Sequence, residues 1–124
     1  MKYPNVQPFG TLVVSAPGTT ILLSANCGPL QGGATGTRSN PPLPGSALRG
    51  IVLQAASPGN VGNVYLLPRG NTALGNPDQI IAVIPPNSIV PVPYGVLLDD
   101  GILPENFCLD ADTGGNTVYG YGIF

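Results

Sequence analysis

The sequence predicts an all-β domain, a jelly-roll-like β-sandwich of about eight short strands with an extended N-terminal arm and a long loop. Three observations predict it. Glycine and proline, 18 and 15 of 124 residues, punctuate the chain throughout instead of gathering in one linker. The runs between them are short, apolar and rich in β-branched residues, as strands are. No stretch long enough for a helix repeats its apolar residues at helical spacing. With 43% hydrophobic residues the chain has enough apolar side chain to bury a core, which separates it from disordered glycine- and proline-rich chains.

The elements follow in order. Residues 1–10, MKYPNVQPFG, read as an arm preceding a single domain over 11–124. Pro4 and Pro8 exclude a helix and favour extended backbone. Tyr3, Val6 and Phe9 are the apolar groups such an arm would dock on a neighbouring subunit, and a frayed terminus is the alternative. Thr11–Ser15 is a first strand, ended by Ala16-Pro17-Gly18, and Thr19–Ala25 a second. Gly28–Ser46 is nearly devoid of strand formers. A loop of that length inside a compact domain is either functional or a Greek-key crossover. As an insertion it would lie on a partner, with Leu30, Arg38 and Leu43 as contacts. Its prolines, with those of the arm, pre-set extended backbone and lower the ordering cost of docking.

The stretch Leu48–Pro68 predicts a strand–turn–strand unit at the centre of the fold. Gly50–Ala55 and Val61–Leu67 flank Ser57-Pro58-Gly59-Asn60, a cluster of turn formers. Alternation sends Ile51, Leu53 and Ala55 to the core, and Leu53 and Val64 are expected core residues. A loop over Arg69–Asp78 leads to a strand at Gln79–Ile84. Ser88–Tyr94 is extended, and Pro91 and Pro93 remove backbone donors on one side only, which marks an edge strand. Val96–Leu98 is a further short extended piece. Phe107–Ala111 and Thr117–Phe124 close the domain around the loop Asp112–Asn116. In the last strand Tyr119, Tyr121 and Ile123 share one face, while Gly120 and Gly122 leave the other nearly bare.

Composition excludes several function classes. The formal net charge is -2, and the four cations, Lys2, Arg38, Arg49 and Arg69, stand singly, so no cluster exists to hold a nucleic acid. The chain has no histidine, which removes the Ser-His-Asp and Cys-His nucleophile systems. Cys27 and Cys108 are expected to be reduced thiols. No apolar run is long enough to span a membrane, and the N-terminal residues carry no secretory signal pattern. Asp110 and Asp112 could chelate a hard cation, against the alternative of solvated hairpin residues. An enzyme is not expected, nor a cofactor. Charged residues are only 8% of the chain, which suggests a surface partly covered by other subunits.

The stretch from Leu48 to Phe124 resembles the small structural proteins of tailed bacteriophages, in particular capsid decoration (cement) proteins. The features that carry the likeness are Arg49-Gly50-Ile51-Val52-Leu53-Gln54-Ala55, then Gly62-Asn63-Val64-Tyr65, the proline-bounded strand Ile80–Pro85 and the hairpin Leu109–Tyr119. The resemblance implies a virion protein assembled in the host cytoplasm. It would bind the outside of the capsid and stabilise contacts between major capsid protein subunits. It implies self-association, a homotrimer ahead of a homodimer, and no nucleic acid or membrane partner. A tail or head–tail connector component, or a receptor- or glycan-binding β-sandwich, is the alternative.

Overall fold

A computed structural model describes residues 6–25, 50–56, 59–93 and 106–123. Among these residues eight strands form: β1 (Val6–Val14), β2 (Ile21–Leu22), β3 (Gly50–Ala55), β4 (Val64–Pro68), β5 (Ala82–Ile84), β6 (Ile89–Pro93), β7 (Phe107–Ala111) and β8 (Asn116–Ile123). A 3-10 turn, Pro77–Gln79, precedes β5. The strands make two four-stranded sheets, β1-β8-β3-β6 and β2-β7-β4-β5. All their pairings are antiparallel. The first strand pairs with the eighth, the second with the seventh, the third with the sixth and the fourth with the fifth. That nesting is one long antiparallel hairpin rolled into two sheets, the winding of a jelly roll. The pairs β3·β8 and β4·β7 join the roll sideways.

The inner faces meet in one core. Leu12, Val14, Ile51, Leu53, Ala55, Val92 and Val118 come from the first sheet. Val64, Leu66, Ile84, Phe107, Leu109 and Ala111 come from the second. Leu53 and Val64 are fully buried, as alternation along their strands requires. The edge position of β6 also follows from its prolines. Ala55 donates its N–H to the Ser88 carbonyl at 3.0 Å, which sets the phase of the β3·β6 ladder. Val90 and Val92 then present their N–H groups to β3, while the donorless Pro91 and Pro93 face outward.

Two expectations are corrected. The strands β3 and β4 do not form a hairpin, since each lies in a different sheet. The second apolar run enters β4 only at Val64, and the chain changes sheet between Ala55 and Val64. Turn formers mark the break between two strands but do not report a change of sheet. A pair of asparagines sets that change. Asn116, buried at the start of β8, accepts from Val61 N–H at 3.0 Å and donates to the Val61 carbonyl at 2.7 Å. Asn60 does the same to the backbone of Thr117, accepting at 2.8 Å and donating at 2.9 Å. The crossover is thus paired to the first sheet by side-chain amides where a strand would use its backbone.

The second correction concerns the arm. Residues 6–10 belong to β1, paired with β8 from Val6↔Ile123 onward. The side chain of Phe9 is fully buried in the core and is not offered to a partner. Simple alternation puts Phe9 on the opposite face from Leu12 and Val14, yet all three are buried. A bulge between Pro8 and Gly10 inserts one residue and flips the parity. Gly10 takes a left-handed φ of 88° there, which a residue with a Cβ adopts only with strain.

Candidate interaction site

The outer face of the first sheet is an uncharged panel. The ladder registers place Thr11, Tyr119, Gln54 and Ile89 side by side in one row across β1, β8, β3 and β6. The adjacent row sets Tyr121 beside Val52 and Val52 beside Pro91. Val13 and Thr117 flank the first row. Tyr119 and Tyr121 are 40% and 39% exposed, Ile89 is 62% exposed, and Val13 is also exposed. Large apolar and aromatic groups pointing to water from a flat, uncharged sheet are the mark of a contact surface.

The outer face of the second sheet is built differently, around Asp110. This residue is 2% exposed although it points away from the core. Its Oδ1 accepts from Gly18 N–H and from its own neighbour Ala111 N–H, both at 2.8 Å. Its Oδ2 accepts from Ala73 N–H, also at 2.8 Å. The carboxylate therefore pins two loops over β7, the turn at Ala16–Thr19 and the turn at Ala73–Gly75. Tyr65 lies beside Asp110 in the ladder, and its hydroxyl donates to Asp112 Oδ1 at 2.8 Å. Asp112 Oδ2 accepts from Asn63 N–H at 2.9 Å. The hydrogen bond to Asp112 holds the Tyr65 phenol in its protonated form and raises its pKa above the ordinary 10.0. Between the two pinned loops runs a groove of about 760 Å³, with Pro17, Leu74, Pro77 and Ile80 on its walls and Asp110 and Asp112 in its lining.

Both carboxylates face N–H or O–H donors where a metal ion would need free oxygen atoms. Among the described residues no cluster of three or more metal-ligating side chains forms. Cys108 is a free, buried thiol whose Sγ lies 3.6 Å from the carbonyls of Pro68 and Asn71. Burial pushes its pKa above the ordinary 9.0. Cys27 lies outside the described residues.

Of the contact residues expected from sequence, two fall among the described residues. Phe9 is core, and the backbone of Val6 is in the ladder with β8. Tyr3, Leu30, Arg38 and Leu43 lie outside the described residues, as does the extended piece at Val96–Leu98. The tyrosine face of β8 was legible from alternation, but its continuation onto Ile89 and Pro91 needed the strand order. Leu74 gave one signal, a large apolar residue alone in a run of turn formers. Comparison of the chain with protein-family models, with curated proteins and with solved structures returns no match.

Proposed function

We propose that the chain is a structural protein of a bacteriophage particle, a decoration protein that binds the outside of the capsid and stabilises contacts between major capsid protein subunits. The observation that carries the reading is the uncharged panel of Val13, Tyr119, Tyr121, Ile89 and Pro91 on a rigid four-stranded sheet. Apolar area of this kind gains free energy when a partner covers it, at about 25 cal/mol per Å² removed from water. The two outer faces point in opposite directions across the core, so one molecule can touch two partners at once. Many weak contacts repeated over a lattice raise the barrier to losing any one subunit. Jelly rolls are frequent in virion proteins, which supports the reading by analogy only. The role is mechanical and requires no catalysis or cofactor. The partners are the major capsid protein and sister copies, as a homotrimer ahead of a homodimer, and the site of action is the capsid surface after assembly in the host cytoplasm.

Counting copies per purified particle tests the reading. A decoration protein is present on the order of hundreds of times, following the symmetry of the shell. About a dozen copies would indicate a ring-forming connector instead, and absence from the particle would overturn both. Exposed Tyr119 and Tyr121 also suit stacking on a sugar ring, so saturable binding on a glycan array would favour a receptor-binding module.

A further inference from the structure

We propose that the groove on the outer face of the second sheet receives an arginine- or lysine-bearing segment of a partner protein, its cation on Asp112 and its apolar neighbours on Leu74 and Ile80. The proposal concerns the chemistry of the partner segment and holds whether or not that partner is a capsid subunit.

Two independent features point to this occupant. The first is charge. Asp110 and Asp112 both line the groove, and none of the lining residues is a lysine or arginine. A carboxylate offers about four lone-pair sites. Asp112 is exposed and uses two, one on each oxygen, for Asn63 N–H and Tyr65 O–H. Two remain, one on each oxygen of this exposed side chain, enough for the paired N–H groups of a guanidinium. Asp110 uses three on backbone donors and contributes its negative charge from below. A calcium ion would need six or more oxygen ligands and finds donors here instead, whereas an organic cation brings its own N–H groups and needs only the vacant acceptors.

The second feature is Leu74. It is 95% exposed, yet it does not ride on a loose loop. Its turn is closed by Asn76 N–H to the Thr72 carbonyl at 2.8 Å and by Gly75 N–H to Thr72 Oγ1 at 3.1 Å. The Asn76 side chain accepts from Thr72 N–H at 3.2 Å, and Ala73 N–H is anchored on Asp110. The fold thus holds a leucine out in water on a fixed knuckle at the rim of an apolar-walled groove. Pro17 and Pro77 stiffen the walls, so little order has to be imposed on binding. An aliphatic arginine or lysine stem fits such walls while its head reaches the carboxylate.

The test is a titration of the isotopically labelled full chain, read by the amide signals of Gly18, Asn63, Ala73 and Ala111. The probe is a blocked five-residue peptide with one arginine between two leucines. A control peptide carries glutamine in place of the arginine. The expected result is saturable shifts at those amides with the arginine peptide and binding at least about tenfold weaker with the glutamine peptide. Affinity should also fall as salt rises from roughly 0.02 to 0.3 M. Asp112→Asn should lose most of the binding. Because Asp112 also ties Asn63 and Tyr65, Leu74→Ala serves as a second variant, expected to weaken binding several-fold with an unchanged melting temperature. Equal binding of the two peptides, absence of saturation, or full affinity in Leu74→Ala would overturn the proposal.

Discussion

A Cβ placed on Gly120 would lie 2.7 Å from Cδ2 of Phe9 and 3.3 Å from Cδ2 of Leu53. The bare face of β8 is therefore the seat of the Phe9 ring, and the two positions are one packing unit. Gly120→Ala should destabilise the fold by about 1–3 kcal/mol through overpacking. Phe9→Ala should cost about 3–5 kcal/mol through the cavity it leaves. Combining Gly120→Ala with Phe9→Leu should cost less than the sum of Gly120→Ala and Phe9→Leu made singly, because the smaller side chain makes room for the methyl group. Urea unfolding of the three variants checks this, and strict additivity would mean the ring is elsewhere. Alternation in the sequence already exposed the glycine face of β8. It did not assign Phe9 to that face, because the bulge at Gly10 breaks the parity from which faces are read. Two titrating groups add a pH dependence. Both the Cys108 thiol and the Tyr65 phenol have pKa values raised in the folded state. The native state then holds protons that the unfolded chain has released, so their contribution is complete below the unfolded values and is lost as pH rises above them. Melting temperature should fall as pH rises past the ordinary values of 9.0 for the thiol and 10.0 for the phenol, and Cys108→Ala with Tyr65→Phe should flatten that fall. An unchanged slope in the double variant would show that other groups govern it.

At the scale of elements, the crossover from β3 to β4 decides whether the chain forms a sandwich or a flat meander. Past the last backbone bond of the β3·β8 ladder, Ala56 N–H to the Thr117 carbonyl at 3.0 Å, the amides of Asn60 and Asn116 tie the chain at Asn60 and Val61 to β8. Asn116→Ala leaves both polar groups of Val61 without their partner and should cost about 1–3 kcal/mol. Asn116→Asp keeps the acceptor but sets a buried carboxylate oxygen against the Val61 carbonyl, and should cost at least as much as Asn116→Ala. Thermal or urea unfolding gives the order, and a variant series within noise would show that the crossover is held by packing alone. Strand positions were largely legible because proline, glycine and β-branched runs report local geometry. β7 falls on the residues the sequence marks, and the edge position of β6 follows from Pro91 and Pro93. The sheet change was not legible, because it depends on Asn116, which meets Val61 from 55 positions away. Likewise Asp110 read as one half of a cation pair. Its role emerges only when Gly18 and Ala73, brought from 92 and 37 positions away, converge on it.

At the scale of the whole molecule, the nested pairing brings the first and last strands together and leaves two outward faces of different chemistry. One is aromatic and, among the described residues, carries no charge. The other is grooved and acidic, with its loops pinned by a buried carboxylate. The panel residues were only half visible in the sequence. Tyr119 and Tyr121 announced one face of one strand, while the width of the surface depends on β1, β3 and β6 lying beside it. If the proposed function holds, the chain is encoded by a phage, and the measurement that tests that proposal most directly is co-sedimentation with the undecorated capsids of that phage. It compares the wild-type protein with a Tyr119→Thr/Tyr121→Thr variant, which keeps strand propensity but removes both rings. The account predicts that the wild-type protein pellets saturably with the shells. It predicts that the variant stays in the supernatant with its melting temperature within a few degrees of wild type. Equal pelleting of the two proteins, or wild-type protein that never leaves the supernatant, would contradict it.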